Sequence, residues 1–508
     1  MSVLRLRPGT NRDTYPMDNL FSDFSDQFIL TRNADCRPNG WDYRRYEAWS
    51  FAFHRTLPVF DIRGSDGTTR GWFAGYGITP DGSLLRGALV LEGVTHEGIC
   101  DDVLERELYG IGGRFVAVIV TRHASRVYLD PLGSLALVFS PTANVAASTT
   151  TLVEWAMAQM PSSEAIPYTS RSDHPPLPPN HFYPAGLTHR GDMCRLLPNH
   201  FLDLDNWRPI RHWPTGPLHR VTHDAIESTV QDLCGALSNH IRAAAQPFGA
   251  YLPLTAGRDS RMLLACSRNL QDRITFVTFD YREGGASRVD VSRARWLAER
   301  FDLTHRVLPI RPVGSDAEAQ YLVRIGNAGN PGKARDFLDA CRRLLDLKRA
   351  WLTGYGGEIG RAFYWKNLAT SCADAVSAEA LLRRLGLPQT GPATRAMAMW
   401  LDRLPGGDAY FIHDLLYLEH RMGCWASPHL YGTAPFKVNV VPLSHRRIVT
   451  SMLTLPVEYR RLQGLPETVM SIGWPELRTV GFRRFVGALS FLNAPVKLVG
   501  GLRRLLRV

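Results

Sequence analysis

Several absences bound the class of this protein. Its 8 cysteines stand singly in 508 residues, with no C-x-x-C pair and no neighbouring histidine cluster, which argues against a zinc site and a disulfide scaffold. No apolar run approaches the about 18 residues of a membrane span, and polar residues interrupt the N-terminal stretch where a signal peptide would lie. We therefore expect reduced thiols, no membrane span and a cytoplasmic location.

Acidic residues are outnumbered, with 48 aspartates and glutamates against 59 lysines and arginines and a formal net charge of +11. A basic surface can bind phosphate backbones without sequence preference. The arginines are spread along the chain, however, and no nucleic-acid recognition motif accompanies them. We expect no nucleic-acid partner, and we interpret most of these charges as solvated and a few as contacts to a triphosphate or an acidic substrate.

The length predicts two domains, because 508 residues exceed what one hydrophobic core normally organises. Two prolines and a glycine in the segment 213–217 (WPTGP) separate a strand-rich part from a helical run that starts near Thr222. We place the domains at residues 1–215 and 216–508. The tail, residues 491–508, has the pattern of an amphipathic basic helix that docks on its own domain, with a membrane surface or a partner protein as alternatives.

The most informative segment is residues 251–261 (YLPLTAGRDSR), a buried strand that ends in small residues and turns into a helix. Backbone N–H groups in such a loop, together with the positive end of the helix, form an anion site. The hydroxyls of Thr255 and Ser260 flank the turn, and Asp259 supplies a hard oxygen ligand for Mg²⁺. The segment lacks the Gly-Lys-Ser/Thr ending of a Walker loop.

Two further segments extend this pattern. Residues 274–280 (ITFVTFD) predict a second buried strand, followed by a helix containing Asp290 and by another strand near His305. Residues 351–359 (WLTGYGGEI) form a third apolar run that ends in glycines and a carboxylate. A dinucleotide-binding G-x-G-x-x-G reading fails, because its third glycine would fall on Ile359.

These segments resemble the pyrophosphate loop and the facing Ser-Gly-x-Gly-x-Asp-Glu turn of the asparagine synthetase superfamily, with Thr255 and Ala256 replacing a serine and a glycine. The resemblance implies ATP and Mg²⁺ as cofactors, with Asp259 and Glu358 as metal ligands. A methyl group at Ala256 would cost about 1–2 kcal/mol if that position were left-handed. The implied ATP-binding residues are Leu254, Thr255, Ala256, Gly257, Asp259, Ser260, Thr278, Thr353 and Gly354.

The residue at position 355 bears on the reaction. β-Lactam-forming and carbapenam-forming members of the superfamily have Tyr here, paired with a glutamate as a base, so the resemblance implies Tyr355 and Glu419 as a catalytic dyad. A phenol with a pKa near 10 needs such coupling to act at neutral pH. The alternatives are that Tyr355 only packs against the nucleotide or its loop, and that Glu419 only pairs with Arg421.

Residues 441–449 (VPLSHRRIV) extend the resemblance, but one departure affects the mechanism. The family lysine that neutralises the departing pyrophosphate should precede Gly481 and Phe482, where Thr479 stands. Arg478 is a candidate replacement, since a guanidinium binds phosphate bidentately. The alternative is that Arg478 is a surface charge and turnover is weak or absent.

The N-terminal half resembles the glutaminase domain of the same superfamily, an Ntn-type αββα sandwich. Residues 110–120 and 126–133 alternate as a strand hairpin. The nucleophilic N-terminal cysteine is missing, because Met1 is followed by Ser2 and the first cysteine is Cys36. We therefore expect no glutaminase activity from this domain. The fold class is α/β, with a parallel-sheet PP-loop domain after the sandwich.

The combined prediction is an ATP-dependent carbon–nitrogen ligase that adenylates a carboxylate and couples it to an amine, releasing AMP and pyrophosphate. Its partners would be a small-molecule or peptide carboxylate and an amine in specialised metabolism, with lactam or macrolactam formation as candidates and homo-oligomerisation left open. Two alternatives stay open: a nucleotide-binding homologue without turnover that has a structural or partner-binding role, and a glutamine-dependent asparagine synthetase-type amidotransferase.

Overall fold

The structure is a computed structural model that describes residues 21–33, 36–160, 177–281, 285–330, 332, 336–368 and 376–479. Three parts of the sequence considered above lie outside these residues: Ser2, the pair 481–482 and the tail 491–508. In the described ranges no helix has both the length and the apolar character needed to cross a bilayer.

The first part of the chain forms two sheets, one of six strands and one of seven. Neighbouring strands are antiparallel except for one parallel pair at the edge of the larger sheet. Its elements are β1 (Phe28–Thr31), β2 (Asp42–Tyr46), β3 (Trp49–Phe53), β4 (Val59–Arg63), β5 (Thr69–Ile78), β6 (Leu89–Val90), α1 (Asp101–Tyr109), β7 (Gly112–Val120), β8 (Ser125–Leu129), β9 (Val138–Ser140), β10 (Val145–Ala147), α2 (Thr150–Ala158), β11 (Cys194–Arg195), β12 (His200–Asp203) and β13 (Arg208–Arg211).

Alternation along β7 shows how these sheets are layered. Val116 and Val118 pack with Phe28 and Phe51 of the six-stranded sheet, in the order β11-β9-β10-β1-β3-β2. Phe115 and Ala117, which alternate with them in sequence, pack on the opposite face with residues of α1. The outer face of the six-stranded sheet is covered in the same way by α2. The two sheets therefore face each other between helices, and the predicted hairpin of β7 and β8 is confirmed.

The second part is built on a five-stranded parallel sheet with the strand order β16 (His305–Pro309), β15 (Ile274–Asp280), β14 (Ala250–Pro253), β17 (Ala350–Leu352) and β18 (Val438–Val440). A π-helix at Tyr417–Ala426 and 3-10 helices at Gly357–Arg361 and Pro475–Thr479 add to its regular elements. These are α3 (Ile226–Ala245), β14 (Ala250–Pro253), α4 (Arg258–Ala265), β15 (Ile274–Asp280), α5 (Gly285–Phe301), β16 (His305–Pro309), α6 (Ser315–Arg324), α7 (Phe337–Leu344), β17 (Ala350–Leu352), α8 (Ala378–Leu385), α9 (Gly391–Asp402), α10 (Ala409–Leu416), α11 (Ser427–Thr433), β18 (Val438–Val440), α12 (Arg446–Thr454), α13 (Val457–Arg461) and α14 (Gly464–Gly473).

Both faces of this sheet are covered, which explains why its strands read as continuous apolar runs. Leu252 and Phe276 pack with residues of α3 and α4 on one face. Tyr251 and Val277 point the opposite way and pack with Ala340 of α7. The mixed α/β class is confirmed, as are the predicted strands at β14, β15, β16 and β17 and the helix after β14.

The junction between the two parts is organised by a buried carboxylate, Glu419 of the π-helix. Arg211 donates to both of its oxygens, over 2.6 and 2.8 Å. Asn199 and Trp400 donate to it over 2.8 and 2.7 Å. Burial alone would raise the pKa of Glu419, but Arg211, with smaller contributions from His200 and Asn199, holds the pKa at about 2. Glu419 is thus an ionised interior residue that holds the two parts together.

Replacing Arg211 tests this junction. In Arg211→Met the charge of Glu419 stays buried without its partner, and we expect a loss of about 3–5 kcal/mol in the free energy of unfolding, measured by urea denaturation. The double variant Arg211→Met/Glu419→Gln should recover most of this loss. Arg343→Met is the matched control, since its pair with Asp339 is partly exposed on one helix and should contribute less than about 1 kcal/mol. Equal losses in the two single variants would contradict the role of the junction.

Acid sensitivity provides an independent test of Glu419. Its folded-state pKa is about 2, below the ordinary 4.5, so the ionised carboxylate stabilises the fold above pH 4.5 by about 3 kcal/mol. This contribution is lost as the pH falls from 4.5 towards 2. The urea midpoint of the wild type should therefore fall towards that of Glu419→Gln over this interval. A difference between the two proteins that stays constant from pH 6 to 3 would contradict the assignment.

Candidate functional site

The order of the strands fixes where a crevice opens. β15 follows β14 in the chain and lies on one side of it, whereas β17 is reached by a crossover and lies on the other side. Ligands of open parallel sheets bind where the strand order reverses, outside the carboxyl ends of the strands. Here that point lies between β14 and β17, whose residues Tyr251 and Trp351 are paired. The two glycine-containing loops predicted from the sequence follow these two strands.

The first loop, residues 254–257, connects β14 to α4. Thr255 and Ser260 are joined through their hydroxyl oxygens over 3.0 Å, which closes the turn. Gly257 is the residue before the helix, and because it has no side chain it places no capping group over the first turn of α4. Ala256 does not adopt a positive φ, and its methyl group therefore adds no left-handed strain. The substitution of Ala256 for glycine is thus compatible with this loop.

Two predicted ATP-binding residues support the loop from beneath. Thr278 donates to the carbonyl oxygen of Leu254 over 2.7 Å and lies 2.9 Å from Nε2 of His305. The N–H of Leu254 bonds to the carbonyl of Val277 at 2.8 Å. Both residues are buried, and their hydrogen-bonding groups are used within the protein. Leu254 and Thr278 therefore hold the first loop on the sheet.

The second loop, residues 353–357, faces the first across the crevice. The N–H of Thr353 bonds to the carbonyl of Val440 at 2.9 Å, which ties this loop to β18. A Cβ atom on Gly357 would lie 2.8 Å from Oδ1 of Asp259, whereas one on Gly354 would lie 3.6 Å from the Cβ of Asp259. The loops are thus in direct contact at Asp259. The absence of a side chain at position 357 permits this approach.

Asp259 and Glu358, the predicted metal ligands, are brought together at this contact. Burial and the nearby charge of Glu358 raise the pKa of Asp259 from 3.8 to about 6, although Arg361 pulls it down. Arg361 donates to both oxygens of Asp259, over 2.7 and 2.5 Å. Tyr417 donates to Glu358 over 2.7 Å. The site therefore contains two mutually repelling carboxylates, each bonded to a protein donor.

The chemistry of these donors fits Mg²⁺ held together with a phosphate. The described part of the chain contains no cluster of three or more His, Cys, Asp or Glu side chains that could cage a metal alone. Mg²⁺ is commonly bound by one or two carboxylates plus substrate phosphate oxygens and water. Asp259 and Glu358 provide such a pair. Arg361 donates to both oxygens of Asp259 and Tyr417 to one oxygen of Glu358, so a bound metal would compete with these donors.

Tyr355 and Glu419 are not brought together as the predicted dyad. All the hydrogen bonds that the structure gives to the carboxylate of Glu419 come from Arg211, Asn199 and Trp400. Burial raises the pKa of Tyr355 to about 12, with Arg421 lowering it and Glu358 raising it. Tyr355 is thus harder to ionise than free tyrosine. The expectation that Tyr355 and Glu419 form a catalytic dyad is therefore corrected. Both oxygens of the Glu419 carboxylate are bonded to Arg211 instead.

The surroundings of Tyr355 are aromatic and cationic instead. Its ring centroid lies 6.5 Å from that of Trp425, and the guanidinium of Arg421 lies 3.6 Å from the Trp425 ring centroid. Arg421 and Trp425 belong to the π-helix, a type of helix often found at functional sites. The alternative pairing of Glu419 with Arg421 is not formed either, since Arg421 stacks on tryptophan. This group of side chains lies next to the second loop.

Arg478 is an exposed residue of the 3-10 helix Pro475–Thr479 and donates to Ser471 over 3.3 Å. It contacts neither loop through the hydrogen bonds described. Sequence reasoning missed Arg361, which is the cation bonded at the crevice, and Asp290, which accepts the N–H of Ala256 over 2.8 Å. The spacing gave no signal for Arg361, because its partner Asp259 is distant in sequence. Arg361 is thus a second candidate, beside Arg478, for the residue that neutralises the pyrophosphate charge.

Comparison with known proteins adds no assignment. No family model matches this sequence, and no curated protein matches it significantly. The case for its chemistry depends on the geometry of the crevice and on the resemblance of its loops.

The two glycines of the second loop provide a matched pair of variants. Gly357→Ala places a methyl group against the carboxylate of Asp259, and we expect it to destabilise the fold by about 1–3 kcal/mol. Gly354→Ala, whose new methyl meets only ordinary contacts, should cost less than about 1 kcal/mol. Urea unfolding of both variants measures the difference. A larger loss in Gly354→Ala would show that the loops do not meet at Asp259.

Proposed function

We propose that this protein is an ATP-dependent, AMP-forming carbon–nitrogen ligase. The observation that carries the proposal is the pair of glycine-containing loops that meet at the switch point of a parallel sheet, with Asp259 and Glu358 at their contact. The resemblance of both loops to asparagine synthetases supports the same chemistry. Within this proposal the first part of the chain is a glutaminase-like Ntn sandwich and the second is a PP-loop domain.

The residues of the crevice have separate tasks in this reaction. The first-turn N–H groups of α4 would bind phosphate oxygens, since they lie at the positive end of the helix and the preceding Gly257 has no side chain to obstruct a phosphate. Asp259 and Glu358 would hold Mg²⁺, which when bound would supply positive charge to the leaving pyrophosphate. A substrate carboxylate would attack the α-phosphate to give an acyl-adenylate. An amine would then displace AMP to form the amide.

Tyr355 would serve this reaction as a substrate contact rather than as a base. Its raised pKa keeps the phenol protonated at neutral pH, so it can donate a hydrogen bond. Arg421 and Trp425 beside it would present a cation and an aromatic face to the carboxylate substrate or the amine. Glu419 would not serve as the base for the amine, because Arg211 holds it at the junction.

One observation favours a second candidate, nucleotide binding without turnover. Arg361 already contacts both oxygens of Asp259. A permanent pair would weaken Asp259 as a metal ligand, and nucleotide binding would then serve a structural or partner-binding role. The two functions differ in whether AMP and pyrophosphate are released.

Product analysis separates the two functions. The purified protein is incubated with Mg²⁺-ATP and extracts of its producing cells, and AMP and pyrophosphate are quantified. For a ligase we expect release that depends on the extract and falls at least 100-fold in Asp259→Ala, a loss of about 2.7 kcal/mol in transition-state stabilisation. Asp272→Ala is the control, since that aspartate is exposed.

Three results would contradict the ligase proposal. Products that are ADP and phosphate would show that ATP is cleaved without adenylation. Release that is the same in wild type and Asp259→Ala would show that the crevice is not the site. Nucleotide binding in the wild type with no AMP or pyrophosphate in any extract would favour the candidate without turnover.

A further inference from the structure

A bidentate ion pair spans the mouth of the crevice. Arg361 ends the 3-10 helix that follows the second loop, and Asp259 lies in the first turn of α4. Nε and Nη2 of Arg361 contact Oδ1 and Oδ2 of Asp259 over 2.7 and 2.5 Å. The side chains retain only 16% and 22% of their full exposure. The pair is therefore largely desolvated, and it joins α4, which follows the first loop, to the 3-10 helix that follows the second.

The backbone of Arg361 is held in place by a hydrogen bond that does not involve its side chain. Its carbonyl oxygen accepts a hydrogen bond from Nε2 of Gln463 over 3.0 Å. Gln463 also donates to the carbonyl of Arg460 over 3.2 Å, which connects this support to α13. The guanidinium is thus presented to the crevice from an anchored point, and an exchange of its partner needs only side-chain motion.

The charges explain why an exchange is required. Asp259 and Glu358 repel each other, and Arg361 supplies the compensating charge to Asp259 when no nucleotide is present. A divalent cation on Asp259 would compete for the oxygens that the guanidinium occupies. Phosphate oxygens accept the same bidentate geometry from a guanidinium as a carboxylate does. A phosphate arriving with the metal therefore offers Arg361 an equivalent partner.

We propose that Arg361 is an exchangeable counter-ion: it holds Asp259 in the nucleotide-free protein and transfers to the β- and γ-phosphates when the metal binds Asp259. The inference rests on the proposed function and assigns the pyrophosphate-neutralising role to Arg361 instead of Arg478. Arg478 is exposed and bonded to Ser471, whereas Arg361 is already bonded at the contact of the loops.

Binding of α,β-methylene ATP, measured by calorimetry, tests the exchange without turnover. With Mg²⁺, Arg361→Met should bind this nucleotide about 10-fold or more weakly than the wild type, because a charge-assisted bidentate contact is lost. Adenosine affinity should be unchanged. Arg343→Met, which breaks an ion pair on α7, serves as the control.

Measurements in EDTA give the sharper signature. Asp259→Asn releases Arg361, so it should bind metal-free α,β-methylene ATP at least 5-fold more tightly than the wild type. The gain should vanish when Asp259→Asn is added to the Arg361→Met background. Removal of negative charge alone would improve binding equally in both backgrounds, and that result would overturn the inference.

The remaining outcomes separate this inference from the proposed function. A wild type that does not bind Mg²⁺ and α,β-methylene ATP overturns the proposed nucleotide site and the counter-ion with it. Wild-type binding that Arg361→Met leaves unchanged overturns the counter-ion alone, as does a 10-fold loss found in Arg478→Met instead. If circular dichroism shows that Arg361→Met does not fold, Arg361→Lys replaces it in these measurements. If Arg361→Lys then binds α,β-methylene ATP as tightly as the wild type does, that result counts against the bidentate contact.

Discussion

The parallel pairing of β14 with β17 is the constraint on which the rest of the candidate site depends. These strands are adjacent in the sheet but separated by about a hundred residues of chain that first build β15 and β16 on the other side. Their carboxyl ends meet at one edge, so each can contribute a loop to a common crevice. The contact between Gly357 and Asp259 is a direct consequence of this pairing. Without it, the two carboxylates would have no reason to be neighbours.

The first part of the chain supports this crevice both directly and through the junction. Leu132 reaches the second loop, where a Cβ atom on Gly356 would lie 3.0 Å from its Cδ1. Glu419 is fixed by Arg211 from the first part, and it belongs to the same π-helix as Tyr417, which donates to Glu358. A buried ion pair at the junction therefore positions an element that contacts a proposed metal ligand. The first part thus contributes to the site by positioning this element.

Local patterns in the sequence predicted the strands and the loops well, because they depend on neighbouring residues. The alternation in 112–120 and the apolar run that ends at Thr255 are examples, and both are confirmed as strands. Long-range charge pairing was not predictable. Glu419 was assigned to Tyr355 or to Arg421, but its partner Arg211 lies 208 residues earlier. Arg361 likewise pairs with a residue 102 positions away. The sequence around a charged residue does not indicate which distant residue it pairs with. That pairing depends on which charged side chains the fold buries next to each other.

We propose that the crevice between β14 and β17 binds Mg²⁺-ATP through Asp259 and Glu358. A crystal structure of the protein with Mg²⁺ and α,β-methylene ATP would test this binding site most directly. We expect phosphate oxygens at the first turn of α4 and a metal ion on the oxygens of Asp259, with Arg361 displaced from them. Nucleotide bound elsewhere, or bound here with the Arg361–Asp259 pair intact and no metal on either carboxylate, would contradict it.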